Sequence, residues 1–152
     1  MQHKGTQILE TERLILRPFQ ASDVESVFQN WTSDEKVTTY LTWPTHQTLQ
    51  DTEDYVQFCL QSYSQEKTYR WVIELKENQQ PIGDISVVSL DERVQAAELG
   101  WVLGSKWWGQ SYMAKLLKLL ITIYWRKWAV YGLQLFTIVK IVLLVVSWKK
   151  SV

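Results

Sequence analysis

Leu103-Gly-Ser-Lys-Trp-Trp-Gly-Gln-Ser-Tyr-Met113 joins a strand-forming run, Ala96-Ala-Glu-Leu-Gly-Trp-Val-Leu103, to what should be a helix. The small residues Gly104, Gly109 and Ser111 punctuate it. A strand-to-helix turn of this kind exposes several backbone N–H groups beside a helix N-terminus, a ready site for a phosphate anion. The spacing is neither that of a P-loop nor that of the Gly-x-Gly-x-x-Gly fingerprint. An ordinary glycine-containing loop has the same composition, so the surroundings decide the reading.

Upstream, Tyr69-Arg-Trp-Val-Ile-Glu-Leu75 and Ile82-Gly-Asp-Ile-Ser-Val-Val88 read as two strands joined by the polar hairpin loop Lys76-Glu-Asn-Gln-Gln80. Before them, Thr48 caps a helix running to about Ser64, with Tyr55, Phe58, Cys59 and Tyr63 along one stripe. Asp51, Glu53 and Asp54 sit in its first turns, where the helix dipole favours negative charge. Leu41-Thr-Trp-Pro44 breaks a shorter turn that Ser33 or Asp34 starts and that runs towards Tyr40. Ser22 or Asp23 caps a helix with Val24, Val27, Phe28 and Trp31 at helical spacing. Thr11 to Pro18 reads as an edge-proximal strand that Pro18 ends, since proline donates nothing to a ladder. The order β-α-α-β-β-β predicts an α+β layer with a largely antiparallel sheet.

A chain of 152 residues fits one domain, and 46% hydrophobic with 21% charged residues excludes disorder throughout. The single cysteine, Cys59, excludes a disulfide framework and a cysteine-rich zinc site. His3 and His46 read as surface residues, and nothing spaces them for a metal. The N-terminus lacks the apolar core of a secretory signal, so a cytoplasmic protein is expected. Charge is divided abruptly. Through Met113 there are nine basic against 16 acidic side chains, a net −7; the last 39 residues hold seven basic side chains and no carboxylate.

Six linked motifs, over roughly residues 8 to 114, resemble the GNAT superfamily of N-acetyltransferases, in particular the branch of ribosomal-protein N-terminal acetyltransferases. Leu9-Glu-Thr-Glu-Arg-Leu-Ile-Leu-Arg-Pro18 resembles that branch's first strand, and Asp23 the acidic residue that starts its first helix. Tyr40-Leu-Thr-Trp-Pro44, Pro81-Ile-Gly83, Ala97-Glu-Leu-Gly-Trp101 and Leu103-Gly104 with Trp108-Gly-Gln-Ser-Tyr-Met113 follow in the family's order. The resemblance implies acetyl transfer from acetyl-CoA to a primary amine, of a protein N-terminus or a small molecule. It implies that Trp101, Val102 and Leu103 present backbone groups to the pantetheine arm. It implies, too, that the loop of Lys106, Trp108, Gly109, Gln110, Ser111, Tyr112 and Met113 wraps the pyrophosphate. Two positions depart from the family: Lys106 replaces the usual Arg or Gln, and Ser111 the usual Gly or Ala. Serine adds a side chain where the backbone approaches the phosphate.

The amine must react in its neutral form, so a base or a water chain takes its proton. Glu98, beside the pantetheine strand, is the candidate catalytic base; a solvent-facing strand residue is the alternative. Tyr40 and Trp43 are candidates to line the acceptor pocket, with core packing as the other role open to aromatics.

After Met113 the family continues with an amphipathic helix and a further strand splayed from the fourth. Residues 115–152 instead read as an apolar, basic tail of poor helical amphipathicity. Ala129 to Ser147 has membrane-spanning length with one central charge, Lys140, which opposes insertion, so a membrane is not the expected partner. A nucleic-acid arm is too rich in Leu, Ile and Val, and no specific nucleic acid is expected. A shift of reading frame near Ala114 explains more. Joining the last nucleotide of each codon to the first two of the next forces Leu at Tyr124-Trp125, Gly at Trp128-Ala129 and Glu at Trp148-Lys149. The result, Leu-(Glu/Ala)-x-(Val/Met)-Gly, is compatible with the family's Leu-x-Glu-Val-Gly. The sequence therefore predicts a GNAT-like fold incomplete at the C-terminus, with 8–114 the acetyltransferase portion. Partial folding, aggregation or proteolysis is expected, with impaired activity. The alternative is a non-catalytic remnant, soluble or tail-anchored.

Overall fold

The computed structural model describes residues 3, 5–39, 41–93 and 96–120, with backbone alone at 96–98. Five antiparallel strands pair in chain order: β1 (Leu9–Glu10), β2 (Leu14–Arg17), β3 (Arg70–Leu75), β4 (Pro81–Asp91) and β5 (Ala96–Leu103). Helices α1 (Val24–Val27), α2 (Glu35–Thr38) and α3 (Leu49–Ser62) fill the connection between β2 and β3, and α4 (Tyr112–Leu120) follows β5. The α+β class and antiparallel sheet agree with the sequence reading.

Strand alternation sorts the side chains onto two faces. Trp71, Ile73, Ile85, Leu99, Trp101 and Leu103 pack with Leu116 and Leu120 of α4. Val72 and Val102 join Phe19, Val27, Trp31, Val37, Val56 and Cys59 from the α1–α3 segment. Both faces of the sheet are therefore covered.

Local chemistry sets the element ends. Thr48 Oγ1 accepts from Asp51 N while the Asp51 carboxylate accepts from Thr48 N, a capping box that fixes the start of α3. The buried stripe of α3 is Thr52, Val56 and Cys59, whereas Phe58, expected on that stripe, is 58% exposed. Phe58 instead lies under the Arg70 guanidinium, 5.6 Å from its ring centroid. The strand expected over Thr11 to Pro18 is present as β2 but starts later, because Thr11 N donates to Leu14 O at 2.9 Å in the turn that pairs it with β1. The first helix is irregular, a 3-10 turn at Ala21–Asp23 before α1 and a π turn at Phe28–Thr32 after it. Arg17 braces this region. It donates to both Asp23 oxygens at 2.8 and 2.9 Å and to Glu74 at 2.6 Å.

α4 corrects the expectation of poor amphipathicity after Met113. Tyr112, Leu116 and Leu120 recur every fourth residue and are buried, while Ala114, Lys115 and Lys118 are exposed. The helix runs through position 114 without a break. The membrane-length stretch 129–147 and the codon-forced positions lie outside the described residues. No helix of the described residues is long and apolar enough to cross a membrane.

Candidate active site

The β4–β5 pair delivers the chain into the loop 104–111. Gly83 lies opposite Leu103, and a Cβ there would stand 2.2 Å from the Val102 carbonyl oxygen, so only glycine permits this approach. Gly104 is equally confined: a Cβ would meet Asn30 O at 2.4 Å and the Trp107 ring at 2.6 Å. Its N–H donates to Ile82 O at 2.8 Å. A 3-10 turn, Ser105–Trp107, follows, and the Ser105 hydroxyl hydrogen-bonds the Asp34 carboxylate across the molecule. The Trp108 indole donates to Leu103 O at 2.8 Å, and its ring packs against both apolar clusters. The loop is thus pinned at its start.

Its second half is shaped differently. Gly109 and Ser111 have φ of +75° and +60°, both left-handed. This geometry brings the chain to the N-terminus of α4, and the N–H groups of Gly109, Gln110 and Ser111 donate to no acceptor among the described residues. All three residues are exposed. Free N–H groups at a helix N-terminus carry the partial positive charge that holds a phosphate. Lys106, also exposed, adds a full charge at the rim, its Nζ 5.7 Å from the Trp107 ring centroid.

The other sequence-derived residues divide by role. Trp101, Val102 and Leu103 are buried, with Trp101 and Leu103 on the α4 face and Val102 on the other. Tyr112 is buried, and its hydroxyl accepts from Arg13 Nη2 at 2.6 Å with the guanidinium 4.3 Å over the ring. Met113 is half-buried against the same cluster. Glu98 is fixed by its backbone, paired with Ser89 just beyond a bulge in β4. Tyr40 lies outside the described residues. Trp43 is half-buried, stacked on Tyr55 at 6.5 Å and tilted against His46 at 5.3 Å.

The histidines are not free surface residues. His46 Nδ1 bonds Thr52 Oγ1 at 2.8 Å, and burial pushes its pKa down against the pull of Asp51. The His3 side chain is only 7% exposed, held by Tyr69 Oη at 2.9 Å and Glu92 at 2.8 Å. No group of residues able to hold a metal occurs among the described residues.

Sequence reasoning missed a buried polar cluster behind the site. Asp84, paired with Val102, accepts from Tyr55 Oη at 3.3 Å, and Arg70 Nη1 reaches the same hydroxyl at 3.3 Å. Burial outweighs the nearby Arg70 and pushes Asp84 up to about 6. Burial also raises the Cys59 thiol to about 11. The Trp31 indole N–H, close to Asp84 but outside hydrogen-bonding geometry, is the one fully buried side-chain polar atom without a partner among the described residues.

A family model for the acetyltransferase (GNAT) domain matches residues 13–140. The chain belongs to the GNAT family. This GNAT chain is 27% identical over 115 residues to the uncharacterized N-acetyltransferase YoaA of Bacillus subtilis, a match covering 76% of this chain and 64% of that protein. The match thus spans less than two thirds of that relative's length. Among solved structures, a putative ribosomal-protein-serine acetyltransferase from Vibrio cholerae superposes with a TM-score of 0.68 at 20% identity, over 81% of this chain and 69% of that one. The ribosomal L7/L12 alpha-N-protein acetyltransferase RimL, in complex with coenzyme A, superposes at 0.66 and 23% identity over 80% and 69%. These superpositions agree with the GNAT fold of the described residues.

Proposed function

We propose that this chain carries the acetyl-CoA-binding half of an N-acetyltransferase acting on a primary amine, at a protein N-terminus or on a small molecule. The observation that carries the reading is the loop 104–111: three consecutive N–H groups without an acceptor among the described residues, just before α4, on a chain of the GNAT family. The coenzyme A complex of RimL supports the choice of ligand. In this reading the N–H groups of Gly109, Gln110 and Ser111 hold the pyrophosphate, and Lys106 neutralises part of its charge. The backbone of Trp101, Val102 and Leu103 on β5 lies along the pantetheine arm. Glu98 takes the proton of the attacking amine; the amine nitrogen bonds the acetyl carbon, the thioester C–S bond breaks, and the coenzyme leaves as its thiol with a proton. The single, buried Cys59 fits a reducing compartment such as the cytoplasm.

Calorimetric titration of the whole chain with acetyl-CoA, followed by detection of acetylated amine, tests the reading. Micromolar binding with turnover supports the enzyme; no heat supports the non-catalytic remnant. A second inference concerns the residues after α4. The absence of any carboxylate beyond Glu98, with the codon-forced Leu, Gly and Glu, supports a change of frame that impairs the enzyme. The packing of Leu116 and Leu120 favours a junction beyond Leu120. Resequencing across these codons, and comparing turnover of the restored-frame chain with this one, tests it: equal turnover removes the inference.

A further inference from the structure

A groove of about 1060 Å³ opens between α2 and the start of α3. Its walls include Glu35 and Thr38 from α2, Trp43 and His46 from the connecting segment, and Asp51 and Asp54 from α3. Internal bonds hold the floor in place. His46 N donates to Thr32 O at 2.9 Å, Thr38 and Thr45 hydroxyls pair at 2.5 Å, and Thr52 links Thr32 at 2.9 Å to His46. A concavity so braced needs little reorganisation to receive a ligand.

The charge of the groove has one sign. Three carboxylates line it, and no lysine or arginine does among the described residues. Asp51 accepts from Gln47 N and Thr48 N, and Asp54 from Gln50 Nε2 at 2.9 Å; neither forms an ion pair with a cation among the described residues. Glu35 is exposed, and the imidazole of His46 is disfavoured in its charged form. The Trp43 ring, stacked on Tyr55, supplies an aromatic wall for an aliphatic stem or a cation. The groove also adjoins the cofactor loop. Asp34, immediately before α2, is hydrogen-bonded to Ser105 at the loop's start, and Asn30 of the same segment donates to Pro81 O at 2.6 Å.

We infer that this groove seats a positively charged acceptor, a peptide whose residues after the reacting amine carry lysine or arginine. The acceptor's chemistry rests on the acetyl-transfer reading; the preference for positive charge rests on the groove alone. The test therefore measures binding without transfer. Two already acetylated peptides, Ac-Ser-Lys-Gly-Lys-Gly-Lys and Ac-Ser-Glu-Gly-Glu-Gly-Glu, are titrated calorimetrically into the whole chain at low salt and again at 0.5 M salt. The basic peptide is expected to bind at least about tenfold tighter at low salt, with the difference shrinking at high salt as the charges are screened. The double variant Glu35→Lys with Asp54→Lys, both exposed positions, reverses the preference while leaving acetyl-CoA binding unchanged. Equal affinity for the two peptides, or a preference that the double variant does not alter, overturns the inference. Preference for the basic peptide without any acetyl-CoA binding sustains the groove and sinks the acetyl-transfer reading; acetyl-CoA turnover with indifference to peptide charge does the reverse.

Discussion

Ser111 holds a left-handed φ of +60° one residue before α4, a conformation in which a Cβ crowds the following carbonyl. Glycine adopts it without that cost, though it loses more freedom on folding. Ser111→Gly is therefore expected to stabilise the fold by about 0.5–1 kcal/mol and to tighten acetyl-CoA binding by exposing the backbone. A lower melting temperature for the variant would contradict the strain. Asp84 acts in the opposite direction. Its folded pKa of about 6 exceeds the ordinary 3.8, so the folded protein holds the proton more tightly than the unfolded chain. The cost of the buried charge is then fully present above pH 6 and is relieved as pH falls towards 4, so this group makes stability rise over that fall. Asp84→Asn should gain about 1–3 kcal/mol at pH 8 and flatten that slope; urea melts from pH 4 to 8 read both, and an unchanged slope refutes the assignment. These two residues show what a sequence discloses at this scale. Ser111 departs visibly from the family's small residue. Asp84 sits in Ile-Gly-Asp-Ile-Ser, where alternation suggests a solvated face, and only the packing of α1–α3 over that face makes it buried.

The elements are more legible in the sequence than the contacts between them. β5 occupies Ala96–Leu103 and α3 begins after Thr48, both as expected, because alternation and the capping box are local signals. The irregular α1 segment was not legible, since its π turn depends on Asn30 reaching Pro81 and on Thr32 reaching Thr52, two residues far along the chain. The same segment presses on Gly104. Gly104→Ala would place a Cβ 2.4 Å from Asn30 O, a backbone atom that cannot yield without moving the π turn. We expect a loss of about 1–3 kcal/mol and a larger fall in acetyl-CoA affinity than stability alone explains, because the displaced loop begins there. Parallel thermal melts and coenzyme titrations separate the two effects; wild-type affinity in a destabilised variant would show that the loop is not the coenzyme site.

At the scale of the molecule, the two apolar clusters share one sheet, and neither can be exposed without stripping one face of β3, β4 and β5. Trp108 ties them again from the side, packing against both. The loop proposed to hold the coenzyme therefore draws on both faces for its shape. The described body should unfold in one transition, with α3 and α4 lost together although they lie on opposite faces. Val56→Ala and Leu116→Ala, each removing a fully buried side chain from a different cluster, should each cost about 1–5 kcal/mol. Near-ultraviolet and far-ultraviolet circular dichroism of each variant should then report a single shared midpoint. Saturating acetyl-CoA should raise both midpoints alike, since a ligand at one hundred times its dissociation constant adds roughly 2.7 kcal/mol of stability to each variant. A biphasic melt, or a ligand-induced shift confined to the Leu116 variant, would mean that the faces fold independently. The loop 104–111 would then depend on the α4 face alone, and the contacts of Asn30, Asp34 and Trp108 with it would have no energetic role.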